Sequence, residues 1–133
     1  TYVKKLQIEA RIIGDMCLNH VIPAAVRYQN ILIENVKGMK DIFGDDYLNY
    51  CASEIETLKK ISTYINNVSA DVEGLVEARK KANRIEAIAE RAKVYSYEVK
   101  DMMEKVRMSA DNLEMLIDDE VWPLPKYREL LFF

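Results

Sequence analysis

The stretch IEAIAERAKVYSYEVKDMMEKVRMSADNLEML, residues 85–116, carries the most regular hydrophobic pattern in the chain. One set of positions seven apart reads Ile85, Ala92, Val99, Val106 and Leu113; the interleaved set reads Ile88, Tyr95, Met102, Ser109 and Leu116. Only Ser109 breaks the apolar rule, so the spacing predicts a helix over about 84–119 with a coiled-coil-like seam. Such a helix is on the order of 50 Å long and needs a partner of similar length.

That partner stands immediately upstream. Leu48, Cys51, Ile55, Leu58, Ile61, Ile65, Val68, Val72 and Leu75 form a second stripe, predicting a helix over about 46–82. Gly74 lies inside it and costs about 1 kcal/mol against alanine, which packing can outweigh. Asn83 reads as a C-cap or turn residue, because asparagine tolerates the left-handed conformation.

The first segment shows Val3, Leu6, Ala10, Ile13, Cys17, Val21, Ala25, Tyr28, Leu32 and Val36, again in helical steps. Pro23 removes one backbone donor and crowds the carbonyl of Asn19, so a kink or break is expected between helices over about 2–22 and 24–37. In GMKDIFGDD, residues 38–46, two glycines bracket Ile42 and Phe43, which are expected to plug the bundle end. Gly44 supplies a stop, and Asp45 and Asp46 supply negative charge for the next helix start, near Asp46.

The fold class is therefore all-α: an elongated antiparallel hairpin or bundle of three to four helices. A non-helical to short-helical tail over 120–133 completes the chain. The expected core is Ile85, Ile88, Ala92, Tyr95, Val99, Met102, Val106, Leu113 and Leu116 against the stripe of the second long helix.

Composition agrees. With 133 residues, 31% charged, 50% hydrophobic, four glycines and three prolines, the chain fits one helical domain. A net charge of -3 disfavours nucleic acid and anionic membrane as partners. Cys17 and Cys51 lack metal or redox spacing, which points to a reducing compartment, the cytoplasm. No stretch approaches the roughly 20 apolar residues of a membrane span. The chain opens on Thr1 and enters its helical pattern at once, which reads as a piece of something longer.

Residues able to do chemistry are sparse. His20, the only histidine, lacks the converging partners of HExxH or ExxH and reads as an ordinary histidine, not a metal ligand. ARKKANR, residues 78–84, is basic without interleaved aromatics and reads as a solvated helix end. Asp118, Asp119 and Glu120 oppose the dipole at a helix C-terminus, and Lys126 and Arg128 are their expected salt-bridge partners ahead of Mg²⁺. Met102, Met103, Met108 and Met115 read as core filling. No nucleotide-binding, nucleophile-elbow or zinc motif is present, so no catalytic, cofactor-binding or metal residue is nominated.

The ending, DDEVWPLPKYRELLFF, residues 118–133, is of another kind. Pro123 and Pro125 stop the helix, and the apolar side chains that follow are each worth on the order of 1.5–3 kcal/mol when buried. The tail must dock, either back onto the bundle or onto another domain or subunit. Its interface candidates are Trp122, Pro123, Pro125, Tyr127, Arg128, Leu131 and Phe132, since Trp, Tyr and Arg are favoured anchors.

Several strings carry a family likeness. TYVKKLQIEAR at the start, NHVIPAAVRYQN followed by LIENVKG, then EARKKAN and DDEVWPLPKYRELLF resemble, in order, the C-terminal region of the type III glutamine synthetases. The resemblance implies a large bacterial ligase of nitrogen metabolism that joins glutamate and ammonia using ATP and Mg²⁺ or Mn²⁺. It further implies stacked rings, in which this single accessory domain, 1–133, meets the upstream catalytic domain and neighbouring subunits. The family's catalytic groups lie upstream, so none carries over to a position here, and the fragment alone is expected to be inactive. The duty left to it is structural, assembly or regulatory. The alternative is an independent helical adaptor that pairs with a partner helix.

Overall fold

The computed structural model describes residues 2–118 and Val121. Among them the chain is all-α, without strands. The elements are α1 (Tyr2–Met16), a π turn (Cys17–Val21), α2 (Ile22–Phe43), a 3-10 turn (Gly44–Asp46), α3 (Leu48–Asn83), α4 (Ile88–Val94), a second π turn (Tyr95–Val99) and α5 (Lys100–Glu114). They join end to end into three long helical runs.

Pro23 explains the first π turn. Its ring cannot donate to the carbonyl four residues back, so it sits in the first turn of α2 directly after the turn over Cys17–Val21. There the Ile22 amide bonds to the Cys17 carbonyl, five residues back. The interruption expected at Pro23 thus takes the form of a π turn, and helix continues on both sides. Cys17 and Val21 are both buried by it.

Helix also runs further than expected, through Gly38 to Phe43. Gly44 supplies the stop: its φ of 59° lies where a side chain would be strained. Ile42 and Phe43 do not plug the bundle. Ile42 is 75% exposed, and the Phe43 ring stacks on Tyr50 with centroids 4.1 Å apart. The next helix starts at Leu48 rather than Asp46, whose carboxylate instead accepts from the Asn49 amide. A kink at Cys51 (φ -135°, ψ 21°) follows, where the thiol donates to the Tyr47 carbonyl at 3.2 Å.

Cross-helix bonds fix the register. Lys81 Nζ lies 3.0 Å from the Glu98 carboxylate, and Ser109 Oγ donates to Asp71 at 2.5 Å, so α3 and the third run are antiparallel. Gln29 Nε2 donates to Ser62 Oγ at 2.8 Å and the Asn35 amide to Glu54, so α2 and α3 are antiparallel too. With that register α5 ends near the level of Ile65 on α3. The far part of α2 and the near part of α3 continue beyond it as a two-helix arm.

The core fills the three-helix end. Leu6, Ala10, Cys17 and Val21 meet Ile61, Val68, Val72, Leu75 and Ala82, and the third run contributes Tyr95, Val99, Met103, Val106, Leu113 and Ile117. Two expectations change. Ile88 is 75% exposed, because residues 84–87 form the connection and Ile88 opens the helix after it. The π turn at Tyr95–Val99 adds one residue to its helical turn, and beyond it Met103, rather than Met102, is sealed in the core. Met102 is partly buried, while Met108 and Met115 face solvent and fill no core.

Candidate functional site

Burial and polar contact concentrate where α3 meets the third run. Tyr95 is fully buried, and its hydroxyl donates to Asn83 Oδ1 at 2.5 Å. Burial raises the phenol pKa above its ordinary value, against the lowering influence of Arg79 and the Asn83 hydrogen bond. Asn83 therefore works through its side chain. It does not cap α3 in the left-handed conformation, and among the described residues only Gly44 has a positive φ.

Further along the same seam, Ser109 is the one polar position of the heptads, and the Asp71 carboxylate accepts its hydroxyl. Half-buried serine is tolerated there because its donor is satisfied. Cys17 is sealed among apolar side chains, and desolvation pushes its thiol pKa up to about 11. It is held as the neutral thiol and is a poor nucleophile.

The sequence-singled groups separate in space. His20 is exposed on the first π turn. Within the basic run, Ala82 is buried, Ala78 packs against the core and Lys81 pairs with Glu98. The run is one face of a packed helix end, not a continuous cationic patch. Among the described residues no three of His, Cys, Asp and Glu converge as a metal site would require, and no helix is long and apolar enough to cross a membrane. An open groove of about 500 Å³ lies between the start of α1 and the α3–α4 connection, lined by Val3, Lys4, Gln7, Asn83, Ile88 and Arg91.

The seven interface candidates, Trp122, Pro123, Pro125, Tyr127, Arg128, Leu131 and Phe132, lie outside the described residues, as do Asp119, Glu120 and Lys126. What precedes them is placed. Val121 packs against the core, and its amide bonds to the Asp118 carbonyl at 3.0 Å, closing a turn after α5.

Comparison with known proteins supplies the family. Residues 1–40 match the model of the glutamine synthetase C-terminal domain. Over 98% of its length the chain is 47% identical to a glutamine synthetase of Bacteroides fragilis (strain YCH46). It belongs with the C-terminal region of the glutamine synthetases. A type-3 glutamine synthetase of Dictyostelium discoideum is 27% identical, and a glutamine synthetase of Butyrivibrio fibrisolvens 28%, each over 98% of this chain. The chain spans 18% of the length of each of these relatives. In this synthetase region the family match falls on α1, the first π turn and most of α2, and the B. fragilis match extends along all three helical runs.

Proposed function

We propose that the chain is the C-terminal accessory region of a type III glutamine synthetase. Its parent is a ligase that joins ammonia to glutamate with ATP and a divalent metal, Mg²⁺ or Mn²⁺. The single observation that carries this reading is the 47% identity to a glutamine synthetase over nearly the whole chain. In the reading, catalytic groups belong to the remainder of the parent, and this region has no catalytic centre of its own. Its partners are the upstream catalytic domain and neighbouring subunits of a ring-shaped homo-oligomer in the cytoplasm.

The duty assigned to it is structural, in support of assembly. Long packed helices with two satisfied polar ties, Tyr95 to Asn83 and Ser109 to Asp71, suit a rigid spacer. The tail with Trp122, Pro123, Pro125, Tyr127, Arg128, Leu131 and Phe132 is its docking segment. The test is the parent enzyme cut just before Thr1, compared with the intact protein for ligase activity and for assembly mass by light scattering. Loss of rings together with activity is the expected result. Intact rings with full activity would overturn the assembly role.

A further inference from the structure

Where the start of α1 meets the α3–α4 connection, shape and charge converge. The open groove of about 500 Å³ takes one cation from each of two helices, Lys4 of α1 and Arg91 of α4. Its remaining lining is two amide side chains, Gln7 and Asn83, and two apolar ones, Val3 and Ile88.

Helical spacing extends the cationic character. Arg11 follows Gln7 by four residues on α1 and Arg79 precedes Asn83 by four on α3, so each shares a face with a lining amide. Arg79, Arg11 and Arg91 all lie within electrostatic reach of the Tyr95 hydroxyl, whose pKa burial raises and each guanidinium lowers. Three helices thus bring four cations to one polar junction, the Tyr95–Asn83 tie.

Nearby carboxylates do not neutralise them. Among the described residues none of Lys4, Arg11, Arg79 and Arg91 forms an ion pair, nor do Glu9, Glu86 and Glu90 of the same segments. Residues 2–11 and 79–93 hold nine cations against those three carboxylates, in a chain of net charge -3, so positive charge is concentrated at this end. Glu98 offsets only Lys81. The dipole of α3 accounts for Lys80 and Lys81 in its last turn, but Lys4 and Arg11 lie on α1 and Arg91 on α4. Arg79 and Arg91 are also half-buried, and partly desolvated guanidiniums near one another repel, which a bound anion relieves.

The lining selects the ligand class. Guanidinium forks pair with carboxylate or phosphate oxygens, and a lysine adds a compact point charge. Asn83 accepts from Tyr95 through Oδ1, which keeps its amide N–H donors for a ligand. Small-molecule sites span about 300–1,000 Å³, and this groove falls within that range. Val3 and Ile88 offer a carbon skeleton an apolar surface.

We infer that the groove is a binding site for a small polyanion carrying two or more carboxylate or phosphate groups, which clamps α1 to the α3–α4 connection. Lys4 and Arg91 hold its charged groups, Gln7 and Asn83 donate hydrogen bonds to them, and Arg11 and Arg79 deepen the positive field. The site stands apart from the docking tail and from the assembly duty.

Hydrogen exchange on the full-length parent tests it with two probes, inorganic pyrophosphate and citrate. At about 1 mM, at least one probe is expected to slow amides of 2–11 and 84–94 roughly threefold or more, saturably, with 61–72 changed less than about 1.5-fold. The probe that saturates at lower concentration identifies phosphate or carboxylate as the preferred group. Lys4→Gln combined with Arg91→Gln should raise the half-saturating concentration about tenfold or more. Lys37→Gln combined with Lys59→Gln removes the same charge elsewhere and should change it less than about twofold. Equal losses in the two variants would reveal only ionic screening and overturn the site. So would groove amides that neither probe slows at about 10 mM, including amides already slow under a covering protein segment. Assembly mass is expected to be unchanged in the Lys4→Gln, Arg91→Gln protein; lost rings would make the groove a subunit contact instead.

Discussion

The Tyr95 hydroxyl donates to Asn83 Oδ1 over 2.5 Å, tying the last residue of α3 to the π turn of the third run. The two ends of this bond are unequal, because Tyr95 is fully buried and Asn83 is exposed. Tyr95→Phe removes a donor and leaves Asn83 to water, at a cost of about 0.5–1.5 kcal/mol. Asn83→Ala strands the buried hydroxyl and should cost more, about 1–3 kcal/mol. Denaturant melts of the two variants check the order. An Asn83→Ala protein as stable as the parent would show that the bond contributes nothing.

Gly74 and Met102 pack as a pair. A Cβ built on Gly74 would lie 2.6 Å from Met102 Cε, the far end of a flexible side chain. Gly74→Ala gains about 1 kcal/mol of helix propensity and must push that methyl aside. The net change is expected within about 1 kcal/mol. Gly74→Leu overpacks the site and should cost about 1–3 kcal/mol. Adding Met102→Ala to Gly74→Leu should recover part of the loss, and a double-mutant cycle showing no coupling would refute the pairing.

Cys17 gives the region an alkaline weakness. Its thiol pKa rises from 9.0 to about 11 on folding, so between those values the unfolded chain has released the proton and the folded one retains it. Stability is therefore present in full below pH 9 and falls as pH rises toward 11, by roughly 2–3 kcal/mol in all. Cys17→Ala should remove this alkaline slope while lowering stability near neutrality. Melts in the two proteins at pH 8 and pH 10.5 measure it, and parallel slopes would rule it out.

Lys81 and Glu98 bridge α3 to the third run at 3.0 Å, with side chains 62% and 47% exposed. Solvent screens such a pair, and Lys81→Ala should change stability by less than about 1 kcal/mol. A larger loss in thermal melts would mean that the basic run does more than finish a helix.

The helical runs were legible because their apolar spacing persists over tens of residues. Val99, Val106 and Leu113 were named for the core from spacing alone, and all three are sealed there. Ile88 was misassigned for a local reason that a heptad count does not contain: it opens its helix after a connection. Met102 does pack against the core, over Gly74, but stays partly buried, while its neighbour Met103 is sealed. Pro23 did signal an irregularity, yet its ring chemistry is met equally by a break or by an extra residue in the turn before it. Gly74 was read as a tolerated cost, since only the folded pair shows the methionine methyl lying over it. The family was legible in rare strings such as NHVIPAAVRYQN, whereas the interface candidates from Trp122 to Phe132 lie outside the described residues.

The first π turn also acts as a change of phase. One extra residue rotates everything downstream by about 100° relative to an unbroken helix. Among the described residues, those before Cys17 address two neighbouring runs and those after Val21 address essentially one, so a single rod keeps two alignments along its length. Removing one residue from CLNHV would not shorten the rod noticeably. It would put every side chain from Ala24 to Phe43 out of step with α3, which makes a five-residue irregularity the synchronising point for the whole second half of the run.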